Sequence, residues 1–330
     1  MPWQARKAMP AAAQQPDGTT PANGVRAQAR NPWTRADLPR LDGRMALVTG
    51  ANRGLGYEIS HALASAGASV VLACRDTANA GRACQQLLLE LPQARIEPAT
   101  LDLASQTSIL RFTEAFRARF NRLDLLINNA AAIMVPLQRT ADDFEMHIGT
   151  NHLGHFALTG LLLDLLAAAP AARIVNSASI AHRLTPGLDL DDPHFRNKPY
   201  KEMDAYGKSK LAVLTYTYEL DRRLRARGSP IVATAAHPGY AATNLGLGNV
   251  FMRLSTRLFA QPPAMGALPA LYAATADDVA SGDYIGPGGF KELKGHPKRV
   301  DSRAEAQDAA LGAQLWAWSQ RATGVRYLDA

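Results

Sequence analysis

The chain has 330 residues, of which 47% are hydrophobic, and a formal net charge of +7. This length and composition suit one large α/β domain with an ample core. Much of the excess charge lies in residues 1–40, which hold six basic and two acidic residues, so the rest is nearly balanced and nucleic acid is not an expected partner. Two cysteines are too few for a disulfide framework and favour a reducing compartment.

The N-terminal region shows no apolar core of a secretion signal. Residues 1–40 are rich in Ala, Gln, Pro and Arg, and we expect a flexible basic extension there, with an organelle-type presequence as the alternative. The longest apolar run, near residues 161–169, is interrupted by Asp164 and is too short to span a membrane. We therefore expect a cytoplasmic protein without a membrane span.

Strands and helices are predicted to alternate along most of the chain. Apolar runs predict six strands, at residues 44–49, 69–74, 95–100, 123–128, 173–177 and 231–236. Apolar residues at helical spacing predict five helices, at residues 55–66, 78–91, 105–120, 141–166 and 204–227. This alternation is typical of a doubly wound α/β fold, in which a parallel sheet of about seven strands carries helices on both faces.

We expect a single domain over residues 41–286, with a substrate lid at about 239–262. The lid segment is apolar and contains Phe251, Met252, Leu254, Leu258 and Phe259. Residues 287–330 are predicted to be a C-terminal extension with one amphipathic helix, at 303–320, packed on the domain.

A glycine-rich turn follows the first predicted strand. Gly50, Gly54 and Gly56 lie between this strand and the first helix. Glycine lets the backbone approach a diphosphate closely, and the N–H groups of the first helical turn point at the phosphates. A bland glycine turn would give the same triplet, so the interpretation depends on the rest of the chain.

Further segments occur in the order and positions of one known family. They are Asn128-Asn129-Ala130-Ala131, Asn151, Ser179, Tyr206-x-x-x-Lys210 and Pro238-Gly239. With the glycine turn, they make residues 41–285 resemble the short-chain dehydrogenase/reductase family, which implies a single-domain Rossmann fold. The segments Asn151-His-Leu-Gly-His-Phe, Ala73-Cys-Arg-Asp and His237-Pro-Gly resemble its retinol-dehydrogenase-like and protochlorophyllide-reductase-like branch.

The resemblance implies four catalytic residues, Asn151, Ser179, Tyr206 and Lys210. Tyr206 and Lys210 lie four residues apart on a predicted helix, so their side chains project from the same face. A lysine cation about 4–6 Å from a phenol lowers its pKa towards the working range. In similar enzymes the tyrosine protonates the carbonyl oxygen, the serine holds that oxygen, and the asparagine bends its helix and holds a water that relays protons to the lysine. Ser177 competes with Ser179 for the serine role.

The same resemblance implies a cofactor site. Its residues are Gly50, Asn52, Arg53, Gly54, Leu55, Gly56, Arg75, Asp102, Leu103, Asn129, Ala130, Tyr206, Lys210, Pro238, Gly239 and Thr243.

The end of the second strand selects between NADH and NADPH. An acidic residue there would bind the ribose 2′-hydroxyl, and a basic residue would bind a 2′-phosphate. Cys74 occupies the acidic position, Arg75 follows it, and Arg53 lies in the glycine turn. Guanidinium groups suit phosphate, so we predict NADP(H). Asp76, one residue later, keeps NAD(H) as the alternative.

These residues predict an NADP(H)-dependent oxidoreductase that interconverts a carbonyl and an alcohol on an apolar or amphipathic small molecule. The alternatives are a non-catalytic NADP-binding sensor or scaffold and a protochlorophyllide-type C=C reduction. His147, His152 and His155 cluster in one helix without a carboxylate or cysteine at ligand spacing, so no metal is expected. The family resemblance implies a homodimer or homotetramer formed through helices 141–166 and 204–227.

Overall fold

The computed structural model of the chain describes residues 32–240 and 261–329. The described residues form an eight-stranded sheet in the order β3-β2-β1-β4-β5-β6-β7-β8. Its strands are β1 Met45–Thr49, β2 Ser69–Cys74, β3 Ile96–Thr100, β4 Leu125–Asn128, β5 Arg173–Ser177, β6 Val232–Ala236, β7 Tyr284–Pro287 and β8 Pro297–Arg299. Strands β1 to β7 pair in parallel, as predicted, whereas the three-residue β8 pairs antiparallel with β7 at one edge.

Helices cover both faces of this sheet. They are α1 Gly54–Ser65, α2 Thr77–Glu90, α3 Gln106–Arg117, α4 Met146–Ile148, α5 Gly154–Leu161, α6 Leu163–Ala167, α7 Glu202–Ala226, α8 Pro263–Thr275, α9 Ala304–Gln307 and α10 Ala309–Thr323. Successive residues of a strand point to opposite faces. Accordingly, Leu47 of β1 lies in a core built with α3, α5 and α7, whereas Ala46 and Val48 lie in a core built with α1, α2 and α8. The predicted doubly wound α/β fold is confirmed.

The predicted helix 141–166 is shorter and is interrupted. It begins at Met146, because the Glu145 carboxylate accepts hydrogen bonds from the backbone N–H groups of His147 and Ile148 and so caps the first turn. A π-helical turn, Gly149–Leu153, then separates α4 from α5. Such wide turns are frequent at functional sites, and this one contains Asn151.

The prediction of a flexible extension over residues 1–40 is wrong for residues 32–40. The ring of Trp33 packs edge-on against Tyr272, with ring centroids 5.4 Å apart, and its carbonyl accepts a hydrogen bond from His296 Nδ1 at 3.0 Å. The packing of an indole on a core helix holds this segment on the domain. Residues 1–31, and residues 241–260 of the predicted lid, lie outside the described residues.

The C-terminal segment packs against α7 and α5. Trp316 of α10 is buried, and its ring centroid lies 5.1 Å from that of Phe156 on α5 and 5.8 Å from that of Tyr216 on α7. A Cβ on Gly160 would lie 2.4 Å from the ring of Tyr327. The chain's own C-terminal segment therefore covers surface on both helices. Among the described residues, no helix is long and apolar enough to cross a membrane.

Candidate active site

The predicted site residues gather at the carboxyl ends of the parallel strands, where open α/β sheets bind their ligands. The glycine turn follows β1, and Asn129 follows β4. Ser179 lies just after β5, and Pro238 lies just after β6. Because these strands are neighbours and run in one direction, segments far apart in sequence meet at one edge of the sheet.

The glycine turn is tight enough to require glycine. Gly50 and Gly54 have φ values of 66° and 58°, in the left-handed region that favours glycine. A Cβ on Gly56 would lie 2.3 Å from the carbonyl oxygen of Gly50. Helix α1 starts at Gly54, and no side chain of the described residues caps its first turn. The turn therefore leaves room and free N–H groups for an anion, as a dinucleotide phosphate requires.

Thr49, which precedes the glycine turn and for which the sequence predicted no role, links that turn to β4. Its fully buried hydroxyl oxygen accepts hydrogen bonds from the backbone N–H groups of Asn129 and Ala130, both at 2.9 Å. In return, the Asn129 side-chain amide donates to the Thr49 carbonyl oxygen at 2.8 Å. Asn129 thus ties the end of β4 to the glycine turn through hydrogen bonds.

His155 extends this network to the helix of Asn151. Its Nδ1 lies 3.1 Å from the Asn151 carbonyl oxygen, which can only accept, so Nδ1 carries the proton. Burial lowers the pKa of His155 to about 4, so the ring is neutral. Its Nε2 therefore accepts from the Thr49 hydroxyl at 3.0 Å. The imidazole therefore connects the residue before the glycine turn to the π-helical turn through two hydrogen bonds.

Asn151 uses its side chain to hold two other segments. Its Oδ1 accepts from the Ala132 N–H at 2.8 Å, and its Nδ2 donates to the Ala132 carbonyl at 3.0 Å and to the Ser209 hydroxyl oxygen at 2.9 Å. A cavity of about 10 Å³ adjoins Asn151 and Ser177. This is about the smallest volume that holds one water molecule. His152 lines the same cavity, and its Nδ1 atom has no hydrogen-bond partner among the described residues.

Tyr206 and Lys210 lie one turn apart in the first half of α7, on the same face. Tyr206 is half-buried and hydrogen-bonds the hydroxyl of Ser179. The Lys210 ammonium nitrogen lies 5.8 Å from the centre of the Tyr206 ring and donates to the Ser177 carbonyl oxygen at 2.7 Å. The structure thus brings Ser179 to the phenol and gives Ser177 a backbone contact with the lysine.

The pKa of Tyr206 does not follow the sequence-based expectation. Burial raises the pKa of this phenol above its usual value, although the hydrogen bond with Ser179 lowers it in part. Burial also lowers the pKa of Lys210 to about 7. At neutral pH, Lys210 is therefore only partly cationic, and its effect on the phenol is weaker than that of a full charge.

Comparisons with known proteins agree with this geometry. A family model described as short chain dehydrogenase matches residues 44–189. Retinol dehydrogenase 13 from Homo sapiens is 37% identical over 308 residues, covering 88% of this chain and 87% of that protein. Polyprenol dehydrogenase from Danio rerio is 37% identical over 302 residues, covering 88% and 90%. The chain belongs to the short-chain dehydrogenase family.

A solved structure supports the same assignment. The crystal structure of an uncharacterised protein from Mycobacterium paratuberculosis is 39% identical, with a TM-score of 0.76, and covers 90% of this chain and 99% of that chain. The resemblance inferred from the motifs is therefore confirmed, and this short-chain dehydrogenase is an oxidoreductase of a family that uses NAD(P)(H). The uncapped start of α1 and the glycine cradle fit such a dinucleotide.

The residues predicted to select the cofactor lie around the end of β2. Arg53 and Arg75 are exposed, and neither has a carboxylate partner among the described residues. Cys74 is buried, its sulfur accepts hydrogen bonds from the backbone of Ala51 and Asn52, and burial raises its pKa. Asp76 caps α2, because its carboxylate accepts from the Asn79 N–H at 3.0 Å. The arginines are thus available to a ligand, whereas Asp76 is engaged.

The remaining predicted cofactor residues either lie at the same edge of the sheet or fall outside the described residues. Leu55 is half-buried in the first turn of α1. Asp102 accepts from the Ala104 N–H at 3.0 Å, and the carbonyl of Leu103 lies 2.5 Å from where a Cβ on Gly154 would be. Gly239 has φ +66°. Thr243 lies outside the described residues.

His147, His152 and His155 do not share a centre. His147 bonds Glu145, His152 bonds Ser319, and His155 bonds Thr49. In the described part of the chain, no group of three or more His, Cys, Asp or Glu side chains is arranged to hold a metal ion. Sequence reasoning did not identify the hydrogen-bond partners of these histidines. For His155, its place one helical turn after Asn151 was the available signal.

Proposed function

We propose that this short-chain dehydrogenase interconverts a carbonyl and an alcohol on an apolar small molecule with NADP(H). The observation that carries the proposal is the hydrogen-bonded pair of Tyr206 and Ser179, with Lys210 one helical turn behind the phenol. A proton donor and a hydroxyl at one point of a cleft are what carbonyl reduction requires, because the substrate oxygen must be held and protonated.

Each side chain has a distinct task. Ser179 holds the substrate oxygen through its hydroxyl, and Tyr206 gives that oxygen its proton. When bound, the reduced nicotinamide supplies the hydride to the carbonyl carbon. Lys210, in its cationic form, favours the phenolate that remains and so assists proton release from Tyr206. The cavity next to Asn151 and Ser177 has room for the water through which the proton is restored.

The cofactor preference follows from charge. A 2′-phosphate would meet Arg53 and Arg75, whose guanidinium groups are exposed and make no ion pair with the described residues. An NADH-selective site needs a carboxylate at the end of β2, and Cys74 stands there instead. Asp76, the nearest carboxylate, is used to cap α2. These observations support NADP(H) over NAD(H).

The proposed substrate is a long, apolar aldehyde or alcohol of the retinoid or polyprenoid type. Relatives at 37% identity bear the names retinol dehydrogenase and polyprenol dehydrogenase, and both are covered over more than four fifths of their length. The apolar residues proposed for the lid lie outside the described residues. The three residues between Tyr206 and Lys210 match carbonyl chemistry and equally fit a protochlorophyllide-type C=C reduction, so the product must be identified.

For the oligomer, the packing of the C-terminal segment argues against the surface that was first predicted. The homodimer or homotetramer was expected to form through the long helices, which correspond to α5 and α7. Packing of Trp316 and Tyr327 covers surface on both helices within one chain. We infer that any pairing of two copies through these helices would have to displace the C-terminal segment, and that the chain is a monomer at this surface.

A substrate panel tests the proposed function. Retinaldehyde, a polyprenal and a short-chain aldehyde are each incubated with NADPH or NADH, and the loss of reduced nicotinamide is followed by absorbance. We expect turnover with NADPH and the long substrates, and an alcohol product identified by mass and retention time. Reduction of a C=C bond would overturn the proposed reaction. Tight NADPH binding without turnover would favour the non-catalytic alternative.

A further inference from the structure

Three side chains outside the predicted catalytic set converge beside Tyr206. Glu145 and His147 are fully buried, and Tyr200 reaches them from the loop between β5 and α7. The Glu145 Oε1 atom lies 2.7 Å from His147 Nδ1 and 3.1 Å from the Tyr200 hydroxyl. The Tyr200 hydroxyl also lies 3.0 Å from His147 Nδ1. We refer to Glu145, His147 and Tyr200 as the buried triad.

Hydrogen-bond directions fix the charges in this triad. His147 Nε2 accepts from the Val135 N–H at 3.2 Å, so Nδ1 carries the proton and donates to Glu145. The imidazole is therefore neutral. Burial raises the pKa of Glu145, but hydrogen bonds from His147 and Ile148 outweigh it and lower that pKa overall. The triad holds one carboxylate charge whose acceptor sites are occupied by donors.

The buried triad grips the segment that follows β4. His147 accepts from the Val135 N–H, and the Tyr200 hydroxyl shares its one proton between the Val135 carbonyl oxygen at 3.0 Å and Glu145 Oε1 at 3.1 Å. Three residues earlier, both backbone groups of Ala132 are bonded by the Asn151 side chain. Side chains from α4, from the π-helical turn and from the loop before α7 thus hold four backbone groups of one short segment.

The held segment contains a strained residue. Met134 lies between the two clamped positions and has φ +52°, in the left-handed region that non-glycine residues rarely adopt. Such a conformation persists only where the surrounding structure determines it, and it is found disproportionately at ligand sites. Ile133, Met134 and Val135 are all half-exposed, so this held segment presents apolar side chains to the exterior.

The same triad contacts Tyr206. The ring centroid of His147 lies 6.0 Å from that of Tyr206, at an interplanar angle of 60°. The imidazole therefore touches the phenol with its ring and the Val135 backbone with its Nε2. A displacement of the held segment would be transmitted through one side chain to Tyr206.

We propose that Glu145, His147 and Tyr200 are positioning residues that hold Ile133, Met134 and Val135 as the substrate-facing wall beside Tyr206. The wall takes the apolar chain next to the carbonyl of the substrate, so the inference rests on the proposed function. A buried carboxylate stabilises a fold less well than apolar residues of the same volume would, so a role in orientation accounts for the triad better than stability does.

Tyr200→Phe is the decisive variant, because it removes one hydroxyl and keeps the ring that packs edge-on against Phe195 at 5.2 Å. Tyr218→Phe is the matched control, since it loses one hydrogen bond, to Ser302 at 2.9 Å, on the same helix as Tyr206. We expect Tyr200→Phe to raise the KM for retinaldehyde about tenfold, with NADPH affinity and melting temperature close to wild type. Tyr218→Phe should leave all four quantities, including kcat, unchanged.

A second measurement needs no turnover. Hydrogen–deuterium exchange of the peptide spanning residues 131–138 should be faster in Tyr200→Phe than in wild type and unchanged in Tyr218→Phe, because the clamp on Val135 is loosened. An unchanged KM, a KM increase shared by the control, or unchanged exchange would overturn the positioning role. If wild type reduces no aldehyde, the proposed function fails, and the exchange result alone decides whether the triad holds the segment.

Discussion

Replacing Thr49 with valine removes one hydroxyl at the junction of the cofactor turn and β4, and keeps the side chain's shape. The hydroxyl is fully buried and bonds Asn129, Ala130 and His155 at 2.9, 2.9 and 3.0 Å. The Asn129 N–H keeps a second acceptor, the Ile127 carbonyl at 3.0 Å. The Ala130 N–H and His155 Nε2 lose the only partner that the described residues give them.

The expected cost follows from these two groups. Leaving a buried polar group without a partner costs about 1–3 kcal/mol, so two such groups cost about 2–6 kcal/mol in total, with the gain from the added methyl group offsetting a small part. For a domain of this size, about 2 °C of melting temperature corresponds to each kcal/mol. Thr49→Val should therefore lower the melting temperature by roughly 4–12 °C.

Urea denaturation and thermal melting measure this effect directly. Thr215→Val is the matched control, since Thr215 is equally buried and its hydroxyl has no hydrogen-bond partner in the described part of the chain. That variant should be as stable as wild type or slightly more stable. Because Thr49 also holds the turn, its replacement should raise the KM for NADPH. A loss of stability below about 1 kcal/mol, or an equal loss in Thr215→Val, would refute the reasoning.

Three further predictions concern the cofactor, the lysine and the C-terminal segment. Arg75→Ala should raise the KM for NADPH about tenfold and leave the KM for NADH nearly unchanged. The control Arg82→Ala, in α2, should change neither KM. Equal effects on both cofactors would contradict the 2′-phosphate role. Burial lowers the pKa of Lys210 to about 7, so NADPH binding should take up protons at pH 8 and hardly any at pH 6, where the lysine is already charged. Calorimetry in two buffers measures this, and uptake that persists in Lys210→Met would contradict it. Cross-linking through α5 and α7 should give no dimer, and a stable dimer cross-linked through these helices would show that the C-terminal segment is displaced.

Local patterns predicted the fold well, and they indicated the residues that the structure brings together in the candidate site. The glycine turn and the pair of Tyr206 and Lys210 are visible because their spacing is short and belongs to one strand, turn or helix. Apolar runs predicted six of the seven parallel strands for the same reason, and β7 was not located. The edge strand β8 was missed, because the three residues Pro297–Arg299 are mostly polar and carry no apolar period.

The partners of buried polar groups could not be predicted. Thr49 meets His155 across 106 residues, and Tyr200 meets Glu145 across 55. Such contacts depend on how strands and loops are juxtaposed in the fold, which no local spacing reports. The raised pKa of Tyr206 is of the same kind, because burial, which only the fold determines, outweighs the hydrogen bond with Ser179.

The central claim is that Tyr206 is the proton donor of a carbonyl reductase. The most direct test compares wild type, Tyr206→Phe and the control Tyr218→Phe in the NADPH-dependent reduction of retinaldehyde, with NADPH affinity measured separately by fluorescence. Our account predicts that Tyr206→Phe loses at least about 99% of kcat and keeps wild-type NADPH affinity, because a positioned acid contributes about 10²–10⁴-fold. Tyr218→Phe should remain fully active. Retained turnover in Tyr206→Phe would contradict the account.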